Sequence, residues 1–205
     1  DEKNLIVYFS RMGNTEYPQE IDASTSASIV IDKDTFGTTE YVARMIQQSV
    51  GGDIHMIQTQ NYYTYDFDEL RNINHEEMDT NFLPPIVKSD LDIEKYDTIF
   101  IGYPVWASDV PQAVLSFLNE YDLTGKTVVP FCTHDGYGAG RSYDTIKEAS
   151  HAAVFTNGIA IQSEDILYSE NSVIEWLTDI GMMEQQNKQT AITIKVGDNI
   201  LDGVI

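Results

Sequence analysis

The sequence predicts an α/β fold built on a doubly wound, five-stranded parallel sheet. Short apolar runs alternate with helical stretches that carry an apolar stripe, in the order β-α-β-α-β-α-β-α-β-α. Such an alternation places neighbouring strands parallel, with helices on both faces of the sheet. In addition, small polar or glycine-rich loops follow three of the predicted strands, at the edge of the sheet where open α/β proteins bind ligands.

Composition and charge limit the classes of function. The chain has 205 residues, 42% of them hydrophobic, which suits one folded domain with a short appendage. Its net charge of −21 opposes binding to nucleic acid or anionic membranes and favours a basic partner protein. An acidic surface that only keeps the protein in solution explains the same charge. The single cysteine, Cys132, excludes an internal disulfide and a thiolate metal cluster.

Two features bear on the location of the protein. No apolar run approaches the roughly 18 residues that span a bilayer, so we expect no membrane insertion of this chain. The first residue is Asp1 and not Met, so we expect that an upstream segment has been removed. A cytoplasmic location is the default expectation, and an exported or lipid-anchored form stays open.

The first predicted strand leads into a loop suited to a phosphate group. Residues 4–9 are almost wholly apolar, as in a central strand buried on both faces. Residues 10–15 are small and polar, and can present hydroxyls and backbone N–H groups to a phosphate. The helix expected after this loop does not follow, because Pro18 lies only three residues after Thr15 and would interrupt it. We interpret residues 13–36, which include a small β excursion, as an insertion that splits this loop into two pieces.

The second piece of the phosphate loop lies at the start of the first helix. Gly37, Thr38 and Thr39 precede an apolar stripe that ends before Gly51. A phosphate at a helix N-terminus gains roughly 0.3–1 kcal/mol from the helix dipole. We therefore predict that Thr38 and Thr39 complete the phosphate site. Thr15 is the alternative, and hydroxyls that only cap the helix and its turn are another.

The next strand and helix carry no predicted site. Residues 53–59 form the second strand and residues 67–78 the second helix. His75 begins a His-Glu-Glu run that resembles part of a zinc motif, but no second histidine follows at the required spacing. We therefore predict no metal site.

A third strand is followed by a loop and a helix. The β-branched and aromatic run 98–101 is typical of a buried strand, and Gly102 and Pro104 are predicted to end it. In the helix that follows, Asp109 is placed to cap the N-terminus and Pro111 to lie in the first turn.

The loops after the third and fourth strands are candidates for binding a flat ligand. Trp106 lies at the tip of the first of these loops. The fourth strand, 127–131, leads into the segment 132–140, whose glycines allow close backbone approach to a ligand. In that segment, His134 is either a proton donor to a substrate or a residue that fixes the loop by hydrogen bonds. A helix over 142–149, a fifth strand over 154–161 and a last helix around Leu177 complete the prediction.

Three loops therefore meet at one edge of the predicted sheet, one for a phosphate, one aromatic and one rich in glycine. Together they suit a phosphorylated, planar cofactor. The chain resembles the flavodoxin family, and within it a bacterial branch with an insertion in the phosphate loop. The segments that carry the resemblance, within residues 4–181, are 8–15, 28–46, 96–111 and 125–140, of which the last two are the most specific.

The resemblance implies FMN as the cofactor, with three sets of contacts and no catalytic residue. The phosphate would be held by Ser10, Arg11, Met12, Thr38 and Thr39. The isoalloxazine ring would be bordered by Pro104, Val105, Trp106 and Ala107, with the indole stacked on or beside it. The other side of the ring and its pyrimidine edge would be contacted by Thr133, His134, Asp135, Gly136, Tyr137 and Gly138.

The chain departs from the family pattern at three positions. Thr38 stands where relatives commonly have Asn, the aromatic loop holds one tryptophan where two are frequent, and Asp135 stands where glycine is frequent. Asp135 adds a negative charge near the flavin, and we expect no lysine or arginine near N1 of the ring. We therefore expect a low reduction potential, since the protein supplies the electrostatics and FMN the redox chemistry.

Three functions follow from the resemblance. In the first, the protein is a low-potential electron carrier that docks on a basic redox partner through its acidic surface. The alternative is an FMN-dependent NAD(P)H:quinone-type oxidoreductase with His134 or Tyr137 beside the substrate. The third is a flavodoxin fold that has lost its flavin and serves as a binding module, which the retained loop residues argue against. The extreme charge favours the carrier.

The end of the chain is predicted to be an appendage. We expect residues 1–183 to form the flavodoxin-like FMN-binding domain and residues 184–205 a tail. Within the tail, residues 191–205 predict a β-hairpin around Gly197. This segment resembles the opening strands of a cyclophilin-like domain, which implies a longer native protein. The alternative is a hairpin that packs on this domain or pairs with a neighbouring molecule, because a lone hairpin is only marginally stable.

Overall fold

A computed structural model describes residues 3–19, 29–32 and 34–185. The predicted C-terminal hairpin over 191–205 lies outside the described residues. The strands are β1 (Asn4–Phe9), β2 (Ile29–Asp32), β3 (Asp34–Gly37), β4 (Asp53–Ile57), β5 (Thr98–Pro104), β6 (Thr127–His134), β7 (Val154–Phe155) and β8 (Ile159–Gln162). The α-helices are α1 (Thr38–Val50), α2 (Phe67–Thr80), α3 (Gln112–Glu120), α4 (Ser142–Ser150) and α5 (Glu170–Asp179).

The central sheet is parallel and is built from the predicted strands. Its strands lie in the order β4-β1-β5-β6, and both β7 and β8 pair in parallel with β6. Because β7 and β8 follow one another along the same edge, they are two pieces of the predicted fifth strand. The α/β fold with a five-stranded parallel sheet is thus confirmed. The carboxyl ends of β1, β5 and β6 bring the three candidate loops to one edge.

The sheet is buried on both faces. Alternate residues of β1 face opposite sides, with Phe9 in one hydrophobic cluster and Ile6 in the other. On one side α2, α3 and α4 contribute apolar side chains such as Phe117. On the other side α1 and α5 do so, with Ile46 and Leu177 fully buried. Burial of each such side chain contributes about 1.5–3 kcal/mol to stability. The strands whose ends carry the loops are therefore held by a well-packed core on both faces.

Strand β5 is longer than predicted, and the prediction that Gly102 ends it is wrong. Gly102 pairs with Phe131 of β6 in register, and a Cβ on this glycine would lie 2.0 Å from the Phe131 ring. The glycine therefore makes room for a core side chain within the strand. The strand runs on to Pro104, its last residue, which pairs with Thr133.

Asp109 does not cap the following helix. Helix α3 begins at Gln112, with Pro111 as the residue before it. The Asp109 carboxylate instead accepts hydrogen bonds from the Val110 backbone N–H at 2.8 Å and from Arg141 Nε at 2.8 Å. The carboxylate thus belongs to the loop between β5 and α3, where it holds a tight turn.

Two further strand predictions change at their ends. Strand β6 continues past Phe131 to His134, so Cys132 lies inside the strand, where burial raises the pKa of its thiol to about 11. The predicted fifth strand, 154–161, is broken into β7 and β8. The break lies opposite Pro130 of β6, which has no N–H to donate to a neighbouring strand.

The segment interpreted as an insertion contains the predicted β excursion. Strands β2 and β3 form an antiparallel pair, and the next residue, Thr38, begins α1. The helix ends before Gly51, as predicted. Ile29 is buried, so the hairpin is attached to the body of the protein at its first residue. That this segment is inserted into a phosphate loop stays an interpretation.

Candidate functional site

The loops at the carboxyl edge of the sheet enclose a cavity of about 420 Å³. One part of its lining comes from the loop after β5, a second from the loop after β6, and a third from α2. The lining residues are Arg11, Phe67, Leu70, Arg71, Asn74, His75, Pro104, Val105, Trp106, Ala107, Ser108, Thr133, His134, Asp135, Tyr137, Gly138 and Ser163. A cavity of this size, with apolar walls and a few polar groups, is typical of a small-molecule site.

The loop after β1 holds buried polar atoms that suit an anion. Ser10 is 1% exposed and Thr15 is 6% exposed. Within the part of the chain that the structure describes, Ser10 Oγ, Thr15 Oγ1 and Arg11 Nε have no hydrogen-bond partner. A buried donor left in this way costs about 1–3 kcal/mol. Three such donors on one short loop indicate a ligand that accepts hydrogen bonds.

Asn14 fixes the shape of this loop, and the sequence reasoning overlooked it. The fully buried Asn14 amide donates from Nδ2 to the Ser10 carbonyl at 2.8 Å and to the Ile57 carbonyl at 3.0 Å. Its Oδ1 accepts from the Thr59 backbone N–H at 2.8 Å. The loop is therefore tied to the end of β4. The Gly13-Asn14 pair in a loop is the sequence feature that could have indicated this loop-fixing role. In the structure Gly13 has a φ of 94°.

The start of α1 lies directly against this loop. A Cβ on Gly37 would lie 2.0 Å from Ser10 Oγ, so only glycine leaves space beside that hydroxyl. The first N–H groups of a helix have no partner within the helix, and no side chain among the described residues caps this N-terminus. The two pieces predicted to form one phosphate site are thus adjacent.

The hydroxyls of Thr38 and Thr39 in α1 have a hydrogen-bond partner, whereas that of Thr15 has none among the described residues. Thr39 Oγ1 lies 3.0 Å and Thr38 Oγ1 lies 3.4 Å from Thr133 Oγ1. All three threonines are buried. Thr133 also lines the cavity, so it joins the phosphate loop to the space beside Trp106. The preference for Thr38 and Thr39 over Thr15 stays a prediction, and the unpartnered hydroxyl of Thr15 strengthens the alternative.

The Trp106 indole is held in place by edge contacts. Its ring makes T-shaped contacts with Phe9, at a centroid distance of 5.4 Å, and with Tyr63, at 5.5 Å. Tyr63 in turn donates its hydroxyl hydrogen bond to the buried Glu77 carboxylate, with oxygen–oxygen distances of 3.0 and 3.1 Å. Burial raises the pKa of Glu77. A half-buried aromatic with fixed orientation can stack against a flat ligand.

The backbone next to Trp106 is strained. Trp106 and Asp109 exchange two backbone hydrogen bonds, of 2.9 and 3.1 Å, across a turn in which Ala107 has a φ of 50° and Ser108 a φ of 63°. This conformation costs a non-glycine residue roughly 1–2 kcal/mol. The Arg141 backbone N–H donates to the Ser108 carbonyl at 3.0 Å and so holds the turn from the loop after β6. Strain of this kind is found at ligand-binding loops.

His134 fixes the glycine-rich loop. Its Nδ1 accepts hydrogen bonds from the backbone N–H groups of Gly136 at 2.9 Å and Gly138 at 3.1 Å. An Nδ1 that accepts carries no proton, so in the neutral ring the proton lies on Nε2. Partial burial lowers the pKa of His134, while Asp135 and Asp165 act in the opposite direction. Of the two roles left open for His134, proton donor or loop-fixing residue, the geometry displays the second.

These contacts predict a pH dependence of stability. The pKa of His134 in the folded chain is below its value of about 6.5 in an unfolded chain. As the pH falls below about 6.5, the unfolded chain takes up the proton first, so the folded state loses stability. We expect the melting temperature to fall less between pH 7.5 and pH 5.5 in His134→Asn than in the wild type. Burial also lowers the pKa of His55, but His55 is common to both proteins and cancels in the comparison. An equal fall in both proteins would contradict this role.

Helix α2 forms a wall of the cavity that the sequence reasoning missed. Phe67, Leu70, Arg71, Asn74 and His75 all line the cavity. They follow the spacing i, i+3, i+4, i+7, i+8, which places them on one face of the helix. Arg11 and Arg71 both border the cavity. The expectation that no lysine or arginine lies near N1 of the flavin stays a prediction.

The predicted site residues divide into two groups. Those that line the cavity are Arg11, Pro104, Val105, Trp106, Ala107, Thr133, His134, Asp135, Tyr137 and Gly138. Those outside its lining are Ser10, Met12, Thr38, Thr39 and Gly136. Four of the latter belong to the two-piece phosphate loop, and Gly136 donates its N–H to His134. Tyr137 is 92% exposed, so it stands at the mouth of the cavity. The part these residues play in binding stays a prediction.

Among the described residues, we find no helix with the length and apolar character that a membrane crossing requires.

Comparisons with known proteins place the chain in a family. The family model of flavodoxin matches residues 27–180. The chain is similar to the structure of a candidate flavoprotein from Bacteroides eggerthii DSM 20697, with 28% identity, 88% of this chain and 98% of that chain covered, and a TM-score of 0.67. It is similar to a further candidate flavoprotein from Bacteroides uniformis ATCC 8492, with 23% identity, 86% and 98% covered, and a TM-score of 0.66.

A third similar structure is that of a flavoprotein in complex with FMN from Lactobacillus acidophilus NCFM. Its identity to this chain is 18%, with 86% of this chain and 99% of that chain covered and a TM-score of 0.60. At such identities the second and third structures show the fold alone. No curated protein sequence matches the chain. Because the family model matches well over half of its residues, the chain belongs to the flavodoxin family.

Proposed function

We propose that this protein binds FMN and transfers electrons through it. The observation that carries the proposal is the set of buried donors on the loop after β1 that have no partner among the described residues, Ser10 Oγ, Thr15 Oγ1 and Arg11 Nε. Of these, Ser10 Oγ lies beside Gly37 at the N-terminus of α1, which no described side chain caps. A phosphate accepts hydrogen bonds and is favoured at a helix N-terminus, so it satisfies all of these groups. The family model begins at residue 27, so it does not cover Ser10, Arg11 and Thr15.

The residues of the cavity fit the rest of this cofactor. The indole of Trp106 offers a fixed aromatic face, and the loop after β6 lines the same cavity. Thr133 connects this space with the phosphate loop. FMN, when bound, supplies the exchange of electrons. The chain itself binds the phosphate, orients the ring between two loops and shields it by α2. We propose residues 1–183 as the unit that does so.

The acidic surface supports a role as an electron carrier with a basic redox partner. A net charge of −21 attracts a basic partner over long distances and raises the rate of encounter. Arg11 and Arg71 border the cavity, and their positive charges would favour the addition of electrons to a bound flavin. Asp135 and the overall charge still oppose the addition of electrons to a bound flavin.

The experiment that tests the proposal begins with the visible absorbance of the purified full chain. FMN is then added to the cofactor-free protein while flavin fluorescence is followed. We expect flavin bands, or stoichiometric quenching of fluorescence. Protein that is colourless and leaves FMN fluorescence unchanged would overturn the proposal. An assay of NAD(P)H consumption with a quinone follows: a carrier shows almost none, whereas steady turnover favours the oxidoreductase.

Asp135→Asn is expected to raise the reduction potential of the bound flavin. Asp135 lines the cavity, and partial burial raises the pKa of its carboxyl group, against the effects of His134, Ser163 and Arg11. A charge at a partly exposed site is worth about 0.2–1 kcal/mol, which corresponds to roughly 10–40 mV for one electron. Spectroelectrochemical titration measures the change, with Asp144→Asn in α4, outside the cavity lining, as the control. A shift that is equal in both variants would contradict a local effect.

A further inference from the structure

Next to the indole of Trp106 lies a buried pair, Tyr63 and Glu77, that the phosphate and ring contacts proposed above do not use. Glu77 belongs to α2 and is 9% exposed, and Tyr63, between β4 and α2, is 8% exposed. The Tyr63 hydroxyl donates to the carboxylate at 3.0 and 3.1 Å, and its ring meets the indole at a centroid distance of 5.5 Å. One hydrogen bond and one ring contact therefore connect the carboxyl group with the lining of the cavity.

The carboxyl group of Glu77 has no cation to balance its charge. None of the salt bridges within the described residues involves it, and Tyr63 supplies its hydrogen bonds. A buried carboxylate with one neutral partner is costly, so its charged form is disfavoured. Burial accordingly raises the pKa of Glu77, against the hydrogen bond from Tyr63, and the neighbouring Glu76 adds to the rise. The protonation of Glu77 therefore responds to a further charge placed nearby.

Tyr63 keeps its own proton and fixes the geometry of the pair. Burial and the adjacent Glu77 carboxylate raise the pKa of its phenol, so the hydroxyl acts as a donor. Its backbone N–H donates to the Asn14 carbonyl at 2.7 Å, which ties it to the phosphate loop. In helix α3, which packs against α2, the ionisable residue is Glu120, at the last position. The groups that act on the Glu77 carboxyl are therefore Tyr63 and Glu76.

Reduction of a bound flavin adds negative charge to the cavity that Trp106 lines. A like charge disfavours the ionised form of a carboxyl group, and exclusion of water extends the reach of this effect. We propose that Glu77 takes up a proton when the flavin is reduced, and that its carboxylate becomes a carboxylic acid still bonded to Tyr63. The redox partner supplies the electron and the solvent supplies the proton, which forms an O–H bond on Glu77. The inference rests on the proposed function, because the added charge is that of an electron on FMN.

The proposal predicts how the reduction potential changes with pH. Where Glu77 is ionised, its charge opposes the addition of an electron, and where it is protonated, this opposition is absent. The potential should therefore fall as the pH rises through the pKa of Glu77. The cavity histidines, His75 and His134, and the flavin itself also exchange protons, so a comparison between matched variants is needed to isolate Glu77.

The test compares the potential of the FMN-loaded full chain with that of Glu77→Gln, from the lowest pH at which both stay folded to about pH 8.5. Gln has a similar volume and keeps an oxygen that accepts from Tyr63, but it carries no charge. We expect the variant to have the higher potential, by a margin that grows with pH and then levels off. Other protonations are common to both proteins and cancel. A margin that is zero, or constant over the whole pH range, would overturn the proposal.

Two further variants separate this role from a general effect of charge. Asp79→Asn removes one negative charge from an exposed position of α2, so its margin over the wild type should not change with pH. Tyr63→Phe keeps the ring beside Trp106 but removes the hydrogen bond that lowers the pKa of Glu77. Its potential should therefore begin to fall at a higher pH than that of the wild type. A profile that stays in place would contradict the assignment to this pair.

Infrared difference spectroscopy detects the proton itself and does not depend on turnover. The spectrum of the reduced minus the oxidised protein should contain a carboxylic acid C=O band that shifts in deuterated water. Glu77→Gln should lack this band, and Asp79→Asn should retain it. A spectrum without the band, or a band that Glu77→Gln retains, would overturn the proposal.

The FMN titration of the same samples keeps this inference apart from the proposed function. A chain that takes up FMN but shows neither the pH-dependent margin nor the band overturns the inference alone. Loss of FMN binding in Glu77→Gln also overturns it, since the pair would then only shape the cavity. A chain that takes up no FMN overturns the proposed function, and the inference with it.

Discussion

Ser10→Ala combined with Thr15→Val is expected to weaken FMN binding at least 100-fold. Both hydroxyls are buried and have no partner among the described residues, Ser10 Oγ lies beside Gly37 at the start of α1, and each hydroxyl would donate to the phosphate. Hydrogen bonds to a charged group contribute about 1.5–3 kcal/mol each, which is roughly tenfold or more in affinity for each. Riboflavin, which lacks the phosphate, should bind the variant and the wild type with similar affinity. Fluorescence titration with both flavins measures the ratio.

The control for this variant is Ser49→Ala, which removes a hydroxyl from the opposite end of α1, where Ser49 donates to the Met45 carbonyl. It should bind FMN as the wild type does. Thr39→Val decides between the two forms of the phosphate site. A larger effect of Thr39→Val than of Thr15→Val would support the original preference for Thr38 and Thr39. Equal losses of FMN and riboflavin in the double variant would show that the hydroxyls do not contact a phosphate.

Gly140→Ala is expected to destabilise the fold by about 2–5 kcal/mol. Gly140 has a φ of 56°, and a Cβ there would lie 2.3 Å from the Ser108 carbonyl oxygen. The conformational cost of roughly 1–2 kcal/mol adds to an overpacking cost of about 1–3 kcal/mol. The displaced carbonyl is also the one that accepts from Arg141, so the Trp106 turn should loosen. Thermal unfolding measures the loss, and FMN affinity should fall with it.

Gly138→Ala is the matched control in the same loop. Gly138 has a φ of 73°, but a Cβ there would meet no atom of the described residues within 4 Å. Its replacement should therefore cost only the conformational share, roughly 1–2 kcal/mol. If the two variants were equally stable, the contact between the loops after β5 and β6 would contribute nothing, and the strained turn would have to be held in another way.

The parts of the fold that depend on local sequence were predictable. The apolar run of β1 and the Gly-Thr-Thr start of α1 were placed correctly because neighbouring residues alone determine them. Errors arose where a residue acts across strands. Gly102 reads as a breaker but accommodates Phe131, and Asp109 reads as a helix cap but closes a turn with Arg141. Neither contact is visible in one segment of sequence.

The α2 wall could not be predicted because it depends on how a helix crosses the sheet. The stripe through Phe67, Leu70 and Asn74 was detectable, but an inward-facing stripe usually marks only a core face. The polar member of that stripe, Asn74, was the feature that set it apart. A separate signal concerned the phosphate loop. The segment Gly-Asn-Thr-Glu-Tyr at 13–17 recurs as Gly-Thr-Thr-Glu-Tyr at 37–41, so Thr15 and Thr39 hold the same position in the two segments and are equal candidates for a phosphate contact.

The broken outer strand has a consequence for the protein at high concentration. A sheet edge with a long, regular row of unpaired N–H and C=O groups invites another molecule to add a strand, which leads to aggregation. Here that edge consists of two residues of β7 and four of β8, separated by residues 156–158. Indole Nε1 of Trp176 donates to the Asn157 carbonyl at 2.9 Å, so one acceptor within the gap is already taken. Because the strand is interrupted opposite Pro130, another molecule cannot form a continuous row of backbone hydrogen bonds along this edge.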